Sequence, residues 1–313
     1  MASNRCVVYS VPWDVTTTFG VGTASAPLAI QAVYHQLDDS HPFQSAAPVI
    51  EFCSVNPTIL QFQDIWAPVS RPIIAALNRG DTLTPDQDLQ RQGINQASIQ
   101  LQETVFLDTL LRIRRAEPLL LCGGEHGVGV GYVQALSSVY PSISVLHIDA
   151  HLDARPNYFG YTHSHASVMT HYADTPSVKH ITSVGIRDYD PSEPLFMHEH
   201  SVGSDIFYDY EMHHQLFSGD SWASIVHDIL DTLKHPVFIS LDVDGLMPSL
   251  CPNTGTPVPG GLNYNQLVYL FEQLSRQKSV IGAELVEVNS PSGTVYDATV
   301  GARLIQLMAG ILS

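Results

Sequence analysis

The chain has 313 residues, of which 44% are hydrophobic and only 14% charged, well below the roughly 25% charged fraction usual in soluble domains. Its 31 acidic against 14 basic residues leave a formal net charge of −17, which argues against nucleic acid or an anionic membrane surface as partner and favours a cationic ligand. Four dispersed cysteines, Cys6, Cys53, Cys122 and Cys251, form neither a disulfide framework nor a zinc motif, and no apolar run approaches the ~20 residues that span a bilayer, so a reducing, cytoplasmic setting is expected.

Short apolar, β-branched runs recur at 6–13, 49–55, 118–122, 143–149, 180–186, 205–210, 237–244 and 280–288. Helical patterns lie between them, for instance at 27–37, 87–115, 221–234, 263–276 and 296–312. Several of the strand-like runs are almost continuously hydrophobic, the mark of strands covered on both faces. Their alternation with helices predicts a three-layer α/β/α sandwich on a mainly parallel sheet of about eight strands. No repeat, low-complexity tract or linker divides residues 1–313, so a single domain is expected. Loops at 14–25, 154–164, 188–203 and 247–262 are rich in Gly, Pro, Ser, Thr and Asp. Most follow a strand directly, and in open α/β sheets ligands bind beyond the carboxyl ends of the strands, so these loops are expected to ring an active site.

Three of the runs end in chemistry. Leu119 to Cys122 leads into Gly123-Gly124-Glu125-His126, where the paired glycines permit a sharp turn at a strand end. The run from Ser144 ends in Asp149-Ala150-His151-Leu152-Asp153, whose three metal-capable side chains at i, i+2 and i+4 point to one side of an extended chain and would be costly to bury unpaired. Phe238 to Leu241 ends in Asp242-Val243-Asp244, again two carboxylates on one face. Four Asp and two His are too many for one catalytic metal with open positions, and suit two metals sharing bridging carboxylates. Oxygen ligands with some imidazole and no thiolate favour Mn²⁺; Ni²⁺, Fe²⁺ and Co²⁺ are compatible with the same set.

These blocks, followed by Thr254 to Gly261 and by Glu284-Leu285-Val286-Glu287-Val288-Asn289, resemble in order and spacing the ureohydrolases, the family of arginases and agmatinases. The resemblance implies two Mn²⁺ per chain, one held by His126, Asp149, Asp153 and Asp242, the other by Asp149, His151, Asp242 and Asp244. It further implies that two close metals lower the pKa of a shared water, whose hydroxide attacks the guanidino carbon of a small cationic guanidino substrate and releases urea and an amine. The departing amine needs a proton; His165 matches the family's shuttle histidine, with His163 as the competing candidate. Glu287 resembles the glutamate that pairs with the guanidinium.

Substrate signals are mixed. Ser183 to Glu193 resembles the arginase segment whose acids, here Asp190 and Glu193, hold the substrate's α-amino group, whereas Val11 to Thr18 and Asp153-Ala154-Arg155 look more like agmatinases. Arg155 stands where arginases have an asparagine that contacts the α-carboxylate, and either binds a substrate carboxylate or forms an ion pair at the rim. Met247 replaces a customary Asp before Pro248, and Gly127 a frequent serine. L-Arginine and agmatine are the leading substrates. A formiminoglutamase, guanidinobutyrase or guanidine hydrolase could use the same core, and a non-catalytic binding or regulatory subunit would be expected to have lost ligands that this chain keeps. The resemblance also implies a homo-oligomer, a trimer or hexamer.

Overall fold

Eight strands and ten helices alternate along the residues that the computed structural model describes, 5–45 and 47–312. In chain order they are β1 (Arg5–Val11), α1 (Ala26–Tyr34), β2 (Val49–Phe52), α2 (Pro57–Asn78), α3 (Pro85–Ile113), β3 (Leu119–Gly123), α4 (Val130–Ser137), β4 (Ile143–Ile148) and α5 (Val168–Ala173). There follow β5 (Val178–Ile186), α6 (Ser192–Glu199), β6 (Gly203–Tyr208), α7 (Asp209–Ser218), α8 (Trp222–Thr232), β7 (Val237–Asp242), α9 (Tyr264–Gln277), β8 (Val280–Val286) and α10 (Tyr296–Leu312). All eight expected strands are present. They form one sheet in the order β2-β1-β3-β8-β7-β4-β5-β6, and every pairing is parallel.

The near-continuous hydrophobicity of the strands is explained by two cores, one on each face of the sheet. Val8, Leu120, Leu146 and Ile239 point into a core shared with α1, α8, α9 and α10. Their neighbours Val7, Tyr9, Leu119, Leu121 and Val145 point the other way, into a core shared with α2, α3, α4 and α5. Alternate side chains thus enter opposite layers, as the period of a strand requires.

The five helices that periodicity singles out are α1, α3, α8, α9 and α10. Helix α3 starts on a capping box, Thr84 with Gln87, and α9 on another, Asn263 with Gln266. Helix α2 runs through Pro68 and Pro72, residues that ordinarily break a helix. Its Asn56 cap, Pro57 at the first turn and the burial of Ile59, Ile73 and Ile74 keep it continuous. The stretch 188–203, expected as loop, is corrected by α6. There Asp190 Oδ1 accepts the Ser192 N–H at 2.9 Å and its hydroxyl at 2.6 Å, so an acidic residue nucleates the helix from just outside it.

One side chain staples the loop after β7 to the end of β5. The Arg187 guanidinium donates to the carbonyls of Gly185 (2.9 Å), Asp244 (2.6 Å), Leu246 (3.3 Å) and Val258 (3.0 Å). Charged donors to carbonyls in a half-buried setting are strong, and an apolar replacement leaves those carbonyls unpaired. Arg187→Met is expected to lower stability by about 2–4 kcal/mol in urea denaturation; a loss below about 1 kcal/mol would show that water replaces the guanidinium at little cost.

Candidate active site

The four central strands, neighbours in the order β3-β8-β7-β4, end side by side and deliver the candidate residues to one place. After β3 the chain passes Gly124, where an added Cβ would overlap the Trp13 carbonyl, so only glycine fits this close approach. Glu125 then turns away from the site and accepts from Trp13 Nε1 (2.9 Å), Thr16 N (2.9 Å), Thr16 Oγ1 (2.5 Å) and Thr17 Oγ1 (3.0 Å). It anchors the loop that carries Thr18. His126 follows, its N–H donated to Glu287 Oε1 at 2.9 Å.

Asp149, Asp153, Asp242, Asp244 and Glu287 are all buried. In four of them one oxygen accepts a backbone N–H, and the second oxygen of Asp149 also meets His147 Nε2 at 2.9 Å. His151 N donates to Asp149 Oδ1 (2.6 Å), Asp244 N to Asp242 Oδ1 (2.8 Å), Ala150 N to Asp244 Oδ1 (3.1 Å) and His126 N to Glu287 Oε1. Around His126 Nδ1 lie Asp153 Oδ2 at 3.0 Å, Asp149 Oδ2 at 3.1 Å and Asp242 Oδ2 at 3.6 Å. Around His151 Nδ1 lie Asp244 Oδ2 at 3.0 Å and Asp149 Oδ1 at 3.6 Å. Asp149 therefore turns one oxygen to each imidazole.

The histidine tautomer makes this cluster a receptor for positive charge. Ser240 Oγ donates its proton to Glu284 Oε1 at 2.7 Å and lies 2.8 Å from His126 Nε2, so that nitrogen carries the N–H and Nδ1 the lone pair. Nδ1 is buried without a hydrogen-bond partner while facing three carboxylate oxygens. A lone pair among carboxylates is repulsive unless a proton or a metal cation sits between them. The donor set fits such a cation. Burial works against charge on His126, but Asp149 and Asp153 outweigh it and hold its pKa well above the usual imidazole range. Burial likewise opposes charge on His151, yet Asp244 and Asp149 push it up to about 12. Burial and then the Asp149 charge push Asp153 up to about 7, and burial followed by the Asp244 charge raises Asp242.

A cavity of about 180 Å³ opens onto this cluster and brings together His151, Asp153, Asp242, Asp244, Glu287, His165, Arg155 and Glu193 among its lining residues. His165 is held by Thr18 Oγ1, 3.0 Å from Nε2. Burial, then the charges of His151 and His126, push its pKa down to about 3. His163 is not among the lining residues; its ring stacks on His171 with centroids 4.2 Å apart. Asp190 is also outside the lining, occupied in starting α6. Asp188 lines the cavity in its stead, placed beside His151 by a parallel bridge that prolongs β5 past its end. Glu193 lies in the wall with both oxygens taken, by Ala154 N at 2.9 Å and Asp190 N at 2.6 Å. Asp153 and Glu287 have left-handed backbones, with φ of 51° and 60°. Non-glycine residues hold such angles only where the surroundings enforce them.

Sequence reading missed His147, whose Nε2 is 2.9 Å from Asp149 Oδ2 and whose Nδ1 is 3.1 Å from Ser183 Oγ. It also missed the roles of Glu284 and Tyr172, which close the support behind His126, with Tyr172 Oη donating to Glu284 Oε1 at 2.6 Å. Period-two counting back from Asp149 and Asp242 would have found His147 and Ser240; Tyr172 has no such signal. An added Cβ at Gly129 would overlap Glu284 Oε2 and Tyr172 Oη. Gly129→Ala is therefore expected to destabilise the fold by about 1–3 kcal/mol through overpacking, read as a lowered urea midpoint; an unchanged midpoint would show that Glu284 can move aside freely.

Comparison with known proteins supplies the family. The model of the arginase family matches residues 4–310. An N(1)-aminopropylagmatine ureohydrolase of Thermus thermophilus is 29% identical over 307 residues, covering 98% of this chain and 90% of the relative. Human arginase-1 is 31% identical over 192 residues, 56% of this chain and 59% of its own. The crystal structure of arginase from Bacillus subtilis shares the fold, with a TM-score of 0.70 at 21% identity over 99% of this chain and 98% of that one. Strand ends rich in Asp and His, a wholly parallel sheet and a family match over nearly the whole chain agree: this protein belongs to the arginase family and is a hydrolase of the ureohydrolase class.

Proposed function

We propose that the protein, as a single arginase-type domain, hydrolyses a carbon–nitrogen bond of a guanidino compound of the arginine or agmatine type, releasing urea and an amine. The observation that carries this reading is the buried lone pair of His126 Nδ1 facing three carboxylate oxygens. Two divalent cations, Mn²⁺ by the donor set, would be held by His126, Asp149, Asp153 and Asp242 and by Asp149, His151, Asp242 and Asp244. Bound there, they would supply a water acidified to near-neutral pKa and a counter-charge for the carboxylates.

The chain's own groups do the rest. Glu287 uses Oε1 to accept the His126 N–H, and Oε2 is free of other hydrogen bonds among the described residues, so it can take a guanidinium N–H in a charge-assisted bond. That contact turns the guanidino carbon toward the strand ends. His165, neutral through burial and oriented by Thr18, accepts a proton from the attacking water and returns it to the departing nitrogen as the carbon–nitrogen bond breaks. His147 orients Asp149, and Ser240 with Glu284 fixes the His126 tautomer. His163, stacked on His171, is the weaker candidate for proton transfer. Helices long and apolar enough to cross a membrane are absent among the described residues, and a soluble trimer or hexamer in the cytoplasm is the proposed setting.

Protein loaded with Mn²⁺ is expected to release urea from L-arginine or agmatine; no urea from any guanidino compound would sink the reading. Asp149→Ala and Asp242→Ala should each remove both metals in elemental analysis, and retention of one would redraw the ligand sets. His165→Ala should lower kcat by about 10²–10⁴-fold with metal content intact, the range of a lost general acid–base. If His163→Ala gives that pattern instead, the proton passes through the other ring.

A further inference from the structure

A second cavity, of about 450 Å³, is lined from α10, the first residue of α9, the loop after β7 and the segment 40–42. It shares no lining residue with the cavity at the strand ends. Pro42, Leu250, Val300 and the ring of Tyr264 make much of its wall apolar, and a cavity of this size with few polar groups is the usual form of a small-molecule site. One permanent charge stands in it, the guanidinium of Arg303. His41, also in the wall, is kept from charging by burial.

Arg303 differs from the other half-buried arginines. Arg71, Arg91 and Arg112 each have a carboxylate oxygen close by, at 2.6, 2.5 and 3.1 Å. Arg303 forms no ion pair among the described residues, and its one side-chain hydrogen bond there runs from Nη1 to Gln306 Oε1 at 3.0 Å. Gln306 is buried and donates from Nε2 to the Asp38 carbonyl at 3.0 Å, so it holds the guanidinium in place without neutralising it. Burial raises the Tyr264 hydroxyl, and the charge that opposes this is Arg303. Asp39, in the adjoining turn, acts on Tyr34 but not on Tyr264. With 31 acidic against 14 basic residues the chain has acids to spare, yet none is placed here. A cation left unpaired against an apolar wall costs stability that an anionic ligand restores.

We infer that this cavity binds a small carboxylate with an aromatic body, the carboxylate on the Arg303 guanidinium and the body against Val300, Leu250 and Tyr264. Parallel N–H groups on a guanidinium edge match a carboxylate, and the Tyr264 ring suits an aromatic partner. An amine in the same place would meet like charge, and a neutral analogue would leave Arg303 as it is. The inference is independent of the proposed hydrolysis.

The probe is 3-phenylpropionate, with 3-phenylpropan-1-ol and 3-phenylpropylamine as its neutral and cationic counterparts. Each is titrated by calorimetry into the Mn²⁺-loaded natural chain and into Arg303→Gln, Arg303→Lys and Thr299→Trp, whose folding is checked by circular dichroism. The natural chain is expected to bind the carboxylate saturably and at least about tenfold more tightly than the alcohol, the range of a charge-assisted bond. Arg303→Gln should bring the two within about threefold, and Arg303→Lys should keep part of the preference, since charge remains and the fork is lost. Thr299→Trp, which puts a large ring into the cavity, should abolish binding of the carboxylate. No saturable binding, equal or tighter binding of the alcohol or amine, or a preference that survives Arg303→Gln overturns the inference. Light scattering on the same samples tests the other occupant, a second copy of the chain: an oligomer that comes apart in Arg303→Gln or Thr299→Trp makes this an interface between copies and likewise overturns it. Should the Arg303 variants fail to fold, a crystal structure of the natural chain with 3-phenylpropionate decides, with the carboxylate on Arg303 as the expected result and any other position as the contrary one.

Discussion

The structure depends on how negative charge is buried at the ends of four adjacent strands. Asp149, Asp153, Asp242, Asp244 and Glu287 are each less than a tenth exposed. Two like charges about 4 Å apart repel by roughly 4 kcal/mol at the effective dielectric of a protein, so the cluster works against folding. The sheet can hold it because β3, β8, β7 and β4 are fixed to one another by parallel ladders. Backbone N–H groups from the turns beyond them then each take one carboxylate oxygen. Two of the four bonds cross between strands: the β4 turn donates to Asp244 after β7, and the turn after β3 donates to Glu287 after β8. Asp149, Asp153 and Asp242 each turn Oδ2 toward His126 Nδ1, and Asp244 turns Oδ2 toward His151 Nδ1. Such an arrangement is stabilised by a cation placed within it.

Beneath the carboxylates the sheet carries a second polar layer. Ser183, His147, Ser240 and Glu284 occupy paired positions across β5, β4, β7 and β8. They are buried and linked to the residues above: His147 to Asp149, and Ser240 with Glu284 to His126. A half-satisfied polar layer would be costlier than an apolar one. Here it fixes which nitrogen of His126 carries the proton and which way Asp149 faces. The left-handed backbones of Asp153 and Glu287 lie just beyond this layer. Glu287 is held there by its N–H to Gly124 O at 2.8 Å and by Thr254 Oγ1 on its carbonyl at 2.8 Å. Strain is tolerated where the scaffold over-determines the conformation.

Strand ends were the legible part of the sequence, because a buried parallel strand is a continuous apolar run and any Asp or His closing it stands out. That is why 143–149 and 237–244 could be read as strands with chemistry at their tips, and why Asp149, His151, Asp153, Asp242 and Asp244 meet in space. Parity decided the finer question less well in the loop after β5. Asp188 and Asp190 are both in phase with the strand, but Asp188 continues the ladder beside His151 whereas Asp190 turns to start α6. Sequence offers the spacing and not the point at which the strand yields to the helix. The two loop histidines differ for the same kind of reason. His163 meets His171, eight residues on, while His165 meets Thr18 and Tyr158, and only tertiary contacts separate them. Tyr172 reaches Glu284 across 112 residues, a pairing that no local pattern encodes.

Met247, where the family usually has an aspartate, is not among the residues lining the cavity, and its loop is fixed through the main chain. Its side chain is 41% exposed, and its backbone is used twice, N–H to Leu262 O at 3.0 Å and carbonyl to Leu250 N at 2.8 Å. The loop's position is set from below, by the Arg187 guanidinium on the carbonyls of Asp244, Leu246 and Val258. Leu246 pairs with Leu262 in a short parallel bridge and is itself buried. Because these bonds act on the main chain, the residue at 247 is free to vary without moving Asp244, whose Oδ1 is held independently by Ala150 N. The cluster of carboxylates is thus insulated from its own rim. The strand ends that would hold the cations stay where the sheet puts them.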